Sequence, residues 1–286
     1  MMHARLLFLA AAYLACSAVP AIAWGPAGHT VIMGGVAQAR GIGSANGYLG
    51  LQAAYGAIAP DLAWQASEPL KTTLSAATHN DPGYVEPWDN SGSQIERAFA
   101  WGWLSHNQAW GADYYAHIGD PFAGTWPALG PGYVVERAQA LATSAGITEG
   151  VAHDYIEAAT DLLLDQQYPD IKLPGILRSA AAQRSSQLPA LLVRSYADLP
   201  GASRLGIRTL ESTFRTGTVA YAEALALPTW QDDAAFAAGL ALYHGLSPEQ
   251  STACLAAAKD LCLAPEADYR DAIQATITLV AAGPWP

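Results

Sequence analysis

The chain is poor in cations and in sulfur. Lysine and arginine total 14 of 286 residues against 25 aspartates and glutamates, a formal net charge of -11. Such a surface does not grip nucleic-acid backbones or anionic lipid by charge alone, although a phosphate held through metal stays open. With only three cysteines, a dense disulfide framework is excluded. Long apolar runs are scarce too. The 14-residue run from Leu6 to Val19 is shorter than the roughly 20 residues a membrane span needs. Runs of β-branched residues are few, which argues against a sheet.

What is present begins with "MMHARLLFLAAAYLACSAVPAIA". Arg5, the apolar run and Ala21-Ile22-Ala23 have the layout of a secretory signal peptide. The expectation is a cut after residue 23, export to the periplasm or medium, and Trp24 as the new amino terminus. Cleavage before Cys16 as a lipoprotein is the alternative, with Tyr13 a poor match for it. Losing Arg5 takes the net charge to -12. The rest is long enough for one large domain or two small ones. Cys254 and Cys262 remain. On one unbroken helix, eight residues would separate them by about 12 Å, beyond disulfide reach. In an oxidising compartment the expectation is a stapled turn near Lys259-Asp260.

Alanine- and leucine-rich periodicity predicts an all-α fold. The segments 96–118, 133–145, 149–167 and 208–227 read as long helices. Further helices are expected at 29–40, 64–77, 174–187, 232–244, 247–259 and 266–281. Ser247-Pro248-Glu249 supplies a cap and a first-turn proline. Proline- and glycine-rich stretches at 81–93 and 120–133 read as loops. The segment 165–175, "DQQYPDIKLPG", divides a catalytic region, 24–165, from a helical C-terminal region, 166–286.

Five histidines lie between positions 29 and 153, near carboxylates. On one continuous helix, His106, Asp113 and His117 fall at about 0°, -20° and +20°, a single stripe. His153 and Glu157 stand four residues apart on one face. Asp61 follows a proline in "GAIAPD", and His79 ends a helix in "ATHNDPGY". Asp161, a turn beyond Glu157, supports the site or substitutes in it. Taken singly, each fits a cap or a satisfied core network. Together with a mature N-terminal amine they form a nitrogen and oxygen donor set without thiolate. That set suits zinc in an open arrangement, and two or three ions rather than one. His244, in "LYHGLSP", reads as a helix C-terminal residue before a glycine cap.

Over residues 24–165 the chain resembles the zinc-dependent phospholipase C family, whose fold single-strand-specific zinc nucleases share. "WGPAGH", "GAIAPD", His79, "GWLSH…ADYYAH" and "HDYIE…D" carry the likeness. It implies three zinc ions in an all-helical domain. Trp24, through its free amine and carbonyl, and His29 would hold one. Asp113 would bridge to a second, held also by Asp61, His79 and His106. His117, His153 and Glu157 would hold the last. Asp61 would orient or deprotonate the attacking water, making it the catalytic residue. The family commonly shows His-x3-Asp, whereas six residues separate His106 from Asp113. The extra residues require a bulge, or a rival frame pairing His117 with Asp120.

The implied function is an exported hydrolase of phosphodiesters, foremost a phospholipase C acting on phospholipid. Tyr84, Trp88, Trp126 and Tyr133 would line the mouth. The alternatives are a zinc nuclease or nucleotidase on the same metals, and a non-catalytic helical protein with a relic site.

Overall fold

α-Helices and short 3-10 turns, with no strand, make up the ordered elements among the described residues of the computed structural model: 24–42, 47–124, 127, 130–226 and 233–286. The all-α expectation holds. In the N-terminal region the helices are α1 (Pro26–Ala39), α2 (Tyr48–Ile58), α3 (Leu70–His79), α4 (Glu86–Asp89), α5 (Gln94–His106) and α6 (Ala112–His117). Next come α7 (Tyr133–Ala145), α8 (Glu149–Gln167), α9 (Leu173–Ala182) and α10 (Leu188–Tyr196). The chain continues through α11 (Arg204–Leu225), α12 (Asp233–His244), α13 (Pro248–Cys262) and α14 (Tyr269–Ala281). The signal-like segment 1–23 and Trp126 lie outside the described residues.

Local chemistry sets several helix starts. Ser93 caps α5 by accepting from the Glu96 N–H, and the Glu96 carboxylate accepts from the Gly92 N–H, a variant of the capping box. Thr148 caps α8. Ser247 caps α13 ahead of Pro248, as the sequence pattern predicts.

Two expectations are overturned. The segment 96–118 is two helices, not one. After His106 the Asn107 side-chain oxygen accepts from the backbone N–H groups of Ala109 and Trp110, at 2.8 and 2.9 Å. That offers the backbone an alternative to the helix ladder and turns the chain. The residues between His106 and Asp113 form this turn, so the single-helix stripe does not exist. The stapled turn is also absent. Cys254 and Cys262 are free and buried on the continuous helix α13, where their spacing along the axis keeps them apart.

The contact that positions the centre of the molecule is the crossing of α2 and α5. A Cβ at Gly56 would stand 2.1 Å from the Phe99 carbonyl oxygen, and one at Gly102 would stand 1.9 Å from that of Ala53. Only glycine permits backbones this close, and the approach brings the C-terminal ends of both helices together.

The C-terminal region packs directly on this pair. Glu211 of α11, buried, receives both the Tyr55 hydroxyl of α2 at 3.0 Å and the Arg184 guanidinium. Helix α14 packs on α1, and α13 packs on α7 and α8.

Gly102→Ala should lower unfolding free energy by about 1–3 kcal/mol, the usual range for overpacking, in urea denaturation. Gly150→Ala, with nothing within 4 Å of its Cβ position, should be neutral or slightly stabilising. Glu211→Ala, which strands Arg184 and Tyr55, should cost about 3–5 kcal/mol.

Candidate metal centre

Three side-chain groups, drawn from distant parts of the chain, could each hold a metal ion: Asp61, His79 and His106; His29, His106 and Asp113; and His117, His153 and Glu157. All of these residues are buried except His117, which is partly exposed.

The first group is the tightest. His106 Nδ1 donates to the Ala57 carbonyl at 2.8 Å. A carbonyl only accepts, so the proton sits on Nδ1 and the neutral ring turns a lone pair on Nε2 inward. His79 Nδ1 faces two oxygens, the Thr78 hydroxyl at 2.8 Å and the Ser75 carbonyl at 3.1 Å. The Thr78 hydroxyl gives its own proton to the Ser75 carbonyl, so it accepts from the ring and the His79 proton also sits on Nδ1. The two Nε2 atoms are 3.2 Å apart, and Asp61 Oδ1 lies 3.4 Å from His79 Nε2 and 3.5 Å from His106 Nε2. A tetrahedral cation with bonds of about 2.0–2.1 Å places its ligand atoms about 3.3 Å apart. With both rings neutral, the triangle contains three acceptors and no donor, so it calls for a proton or a cation. Ring hydrogen bonds of this kind are the usual support behind metal-binding histidines.

The second group sits against the first. The His29 ring stacks on that of His106 with centroids 4.0 Å apart. Asp113 Oδ1 lies 3.8 Å from His106 Nε2 and 3.4 Å from His117 Nδ1, so this carboxylate stands between the groups. Because His106 Nδ1 is taken by Ala57, its Nε2 can serve one group at a time.

Trp24 is brought here by its ring. The indole is fully buried, stacks on Tyr133 at 5.1 Å and donates from Nε1 to the Ala112 carbonyl. Its backbone N–H points at His29 Nε2, 3.4 Å away.

The third group is looser. His117 Nε2 and His153 Nε2 are 2.9 Å apart, while Glu157 Oε1 faces the other nitrogen of His153, Nδ1, at 3.4 Å. Buried atoms without a hydrogen-bond partner include His29 Nδ1, Asp113 Oδ2, His117 Nδ1, His153 Nδ1 and Glu157 Oε1. Each such atom costs about 1–3 kcal/mol. These five lie in the donor set, where a bound cation would give them a partner.

Protonation follows the same geometry. Burial alone would push the His106 pKa down, but Asp61 and Asp113 outweigh it and carry it up to about 9. Burial likewise favours neutral Asp61, yet His106 and His79 hold that carboxyl below the usual carboxylate range. Asp113 is held down in the same way, against burial, chiefly by His117. Burial lowers the pKa of His29 and His153 and raises that of Glu157, with Asp154 adding to the last. A nearby cation would draw Glu157 back to its ionised form.

Asp161 supports the site rather than joining a group. Its carboxylate accepts from the Ala27 and Gly28 N–H groups, both at 3.0 Å, and from the Tyr221 hydroxyl at 2.7 Å. It therefore caps α1 from α8 and fixes the turn carrying Trp24 and His29. Gly25 is required beside it, because a Cβ there would meet the Asp161 carboxylate at 2.5 Å.

The proposed mouth residues divide. Tyr133 is buried beneath Trp24, with its hydroxyl on the Cys262 carbonyl. Tyr84 is buried and accepts from the Trp110 indole. Neither lines a mouth, because both rings fill space between helices. Trp88 is partly exposed. Asp120, of the rival frame, caps the Phe122 N–H in a local turn and belongs to none of the three donor groups.

Sequence reading missed the contribution of α12. His244 ends that helix before Gly245, as expected, but its Nε2 also lies 3.3 Å from Asp154, the neighbour of His153. No local spacing signals a contact between residues 90 positions apart. Trp64 was missed as well. Its ring lies 5.9 Å from that of His79, with the Lys71 ammonium 5.5 Å from its centre.

Metal uptake should release a proton in the pH window from about 6.5, the ordinary histidine value, to about 9, the His106 value. Affinity measured calorimetrically in buffers of different ionisation enthalpy should rise through that window. Without metal, the stability supplied by His106 is complete below the unfolded value and lost as pH rises through about 9. Asp161→Ala should destabilise the protein by about 2 kcal/mol, in line with loss of hydrogen bonds to a charged group. Comparisons with protein-family models, with curated proteins and with solved structures return no match for this chain.

Proposed function

We propose that the protein is a zinc-dependent hydrolase of phosphodiesters, with a phospholipase C activity as the leading reading. The observation that carries it is the triangle of Asp61, His79 and His106, with His106 held through Nδ1 by the Ala57 carbonyl, His79 held through Nδ1 by the Thr78 hydroxyl and the Ser75 carbonyl, and neither ring donating into it. Nitrogen and oxygen donors without thiolate suit zinc over softer-ligand metals. The adjoining donors around Trp24, His29 and Asp113, and around His117, His153 and Glu157, give room for two or three ions.

Bound divalent cations at such a site neutralise phosphoryl oxygens and lower the pKa of water. The protein's own groups then have distinct tasks. Asp61, held ionised by His106 and His79, is a weak base but a good hydrogen-bond acceptor, suited to orienting an attacking water. Asp113 balances charge between neighbouring donor groups. Asp161 keeps the Trp24 turn in place. In a mature chain beginning at Trp24, the nitrogen beside His29 would be a free amine able to ligate.

A second reading, a nuclease on the same donors, is favoured by Trp64. An indole and a lysine ammonium stand beside His79, and single-strand sites combine aromatic side chains with cations.

Metal analysis of protein beginning at Trp24 should find two or three zinc per chain. One residue retained before Trp24 should remove one of them, because an acylated nitrogen cannot ligate. Absence of zinc would end this reading. Offered phosphatidylcholine and single-stranded DNA side by side, the enzyme should release phosphocholine, and preferential cutting of DNA would transfer the assignment to the second reading. Asp61→Asn should lower kcat by about 10²-fold or more.

A further inference from the structure

A cavity of about 840 Å³ opens between α1, α2 and α5, and none of its lining residues belongs to the three donor groups. Its size falls in the range of small-molecule sites, about 300–1,000 Å³. Met33, Ala53 and Trp101 form apolar walls, and the exposed side chains of Tyr48 and Leu49 stand on its lip.

Its polar edge is unusual for this chain. Although acidic residues outnumber basic ones 25 to 14 overall, no aspartate or glutamate lines the cavity, and Arg97 is the one charged residue among the described lining. Neighbouring polar groups are already engaged. The Ser91 hydroxyl donates to the Trp88 carbonyl, and Ser93 donates to Gln187 while accepting from the Glu96 N–H. Glu96 pairs with Arg194 instead of Arg97. The Arg97 guanidinium lies over the Trp88 ring, 4.1 Å from its centre, and makes no side-chain hydrogen bond or ion pair to a described residue.

We propose that this cavity binds a long-chain fatty-acid carboxylate, with its hydrocarbon chain along Met33, Ala53 and Trp101 and its head at Arg97. The Arg97 side chain is exposed, its guanidinium is held over the Trp88 ring, and no described residue takes any of the guanidinium N–H groups. The planar guanidinium fork matches a carboxylate two bonds at a time. The fork would also accept a phosphate, but a phosphate monoester carries about -1.5 to -2 at neutral pH, which one guanidinium does not balance, whereas a carboxylate's single charge is matched. A quaternary ammonium would meet the arginine's like charge. The assignment does not rest on the metal reading, since the cavity and the donor groups share no residue.

Titration calorimetry of the purified chain with laurate and its shorter homologues, all below their micelle concentrations, tests it. One-to-one saturable binding is expected, tightening about two- to fourfold per added CH₂ and unchanged by prior chelation. Arg97→Gln should weaken laurate about tenfold. Leu49→Glu, an exposed substitution that leaves the fold intact, should weaken it at least as much by placing a like charge on the lip. Absence of saturable binding would overturn the proposal, as would equal affinity for dodecyltrimethylammonium or no effect of Arg97→Gln. Tighter binding of dodecyl phosphate would overturn the carboxylate assignment. Association only above the micelle concentration would make the lip a lipid-surface contact instead.

Discussion

Two imidazoles on different helices each keep their proton on Nδ1, held by the Ala57 carbonyl for His106 and by the Thr78 and Ser75 oxygens for His79, and turn the other nitrogen toward one carboxylate oxygen. The rest of the site depends on that pair. If His106 did not donate to Ala57, either of its nitrogens could carry the proton and the ring could rotate. With the bond made, tautomer and direction are both fixed, and Nε2 of His79, Nε2 of His106 and Oδ1 of Asp61 stand at near-equal separations. The bond in turn depends on the close passage of α2 and α5. Gly56 and Gly102 let the two backbones approach, and the approach carries Ala57 to the end of α5.

A second clamp acts from the opposite side. Asp161, on α8, replaces a local cap for α1 by accepting two of its opening N–H groups. Buried without a cationic partner, it has its pKa pushed up to about 6 by desolvation, while the Tyr221 hydroxyl and the two backbone donors oppose the rise. Tyr221 belongs to α11, so the C-terminal region helps to anchor the turn that carries Trp24 and His29. Glu211 of the same helix receives Tyr55 of α2. The two regions are linked through buried polar groups that neither would satisfy alone.

Much of the donor set was legible in the residues, for a physical reason. Buried histidines and carboxylates are costly, so their accumulation beside apolar helical runs already implies partners. His153 and Glu157 could be placed on one face from spacing alone, because they do occupy one continuous helix. The same argument failed for His106 and Asp113. There the chain turns at Asn107, and the residues meet by the turn rather than by helical periodicity. Helix α2 went unread because small apolar residues and glycine run through it without a clear polar face, and α10 because it is short and opens on a proline directly after the segment read as the preceding helix. The cysteine pair failed differently. A turn was needed for a disulfide, but α13 runs through both positions unbroken.

The sequence by itself determined that the chain is helical, where α7, α8 and α13 lie, and which side chains have the chemistry to hold cations. These properties follow from local periodicity, capping residues and donor type, all short-range. Only the tertiary structure decided which donors share a group, which nitrogen of each imidazole faces inward, and that Tyr133 lies under Trp24. It also decided that Asp161 serves as a clamp and that Arg97 is the lone charge among the described residues lining an apolar cavity. Those outcomes depend on contacts between residues up to 134 positions apart, set by how helices approach one another, and no local pattern encodes that approach.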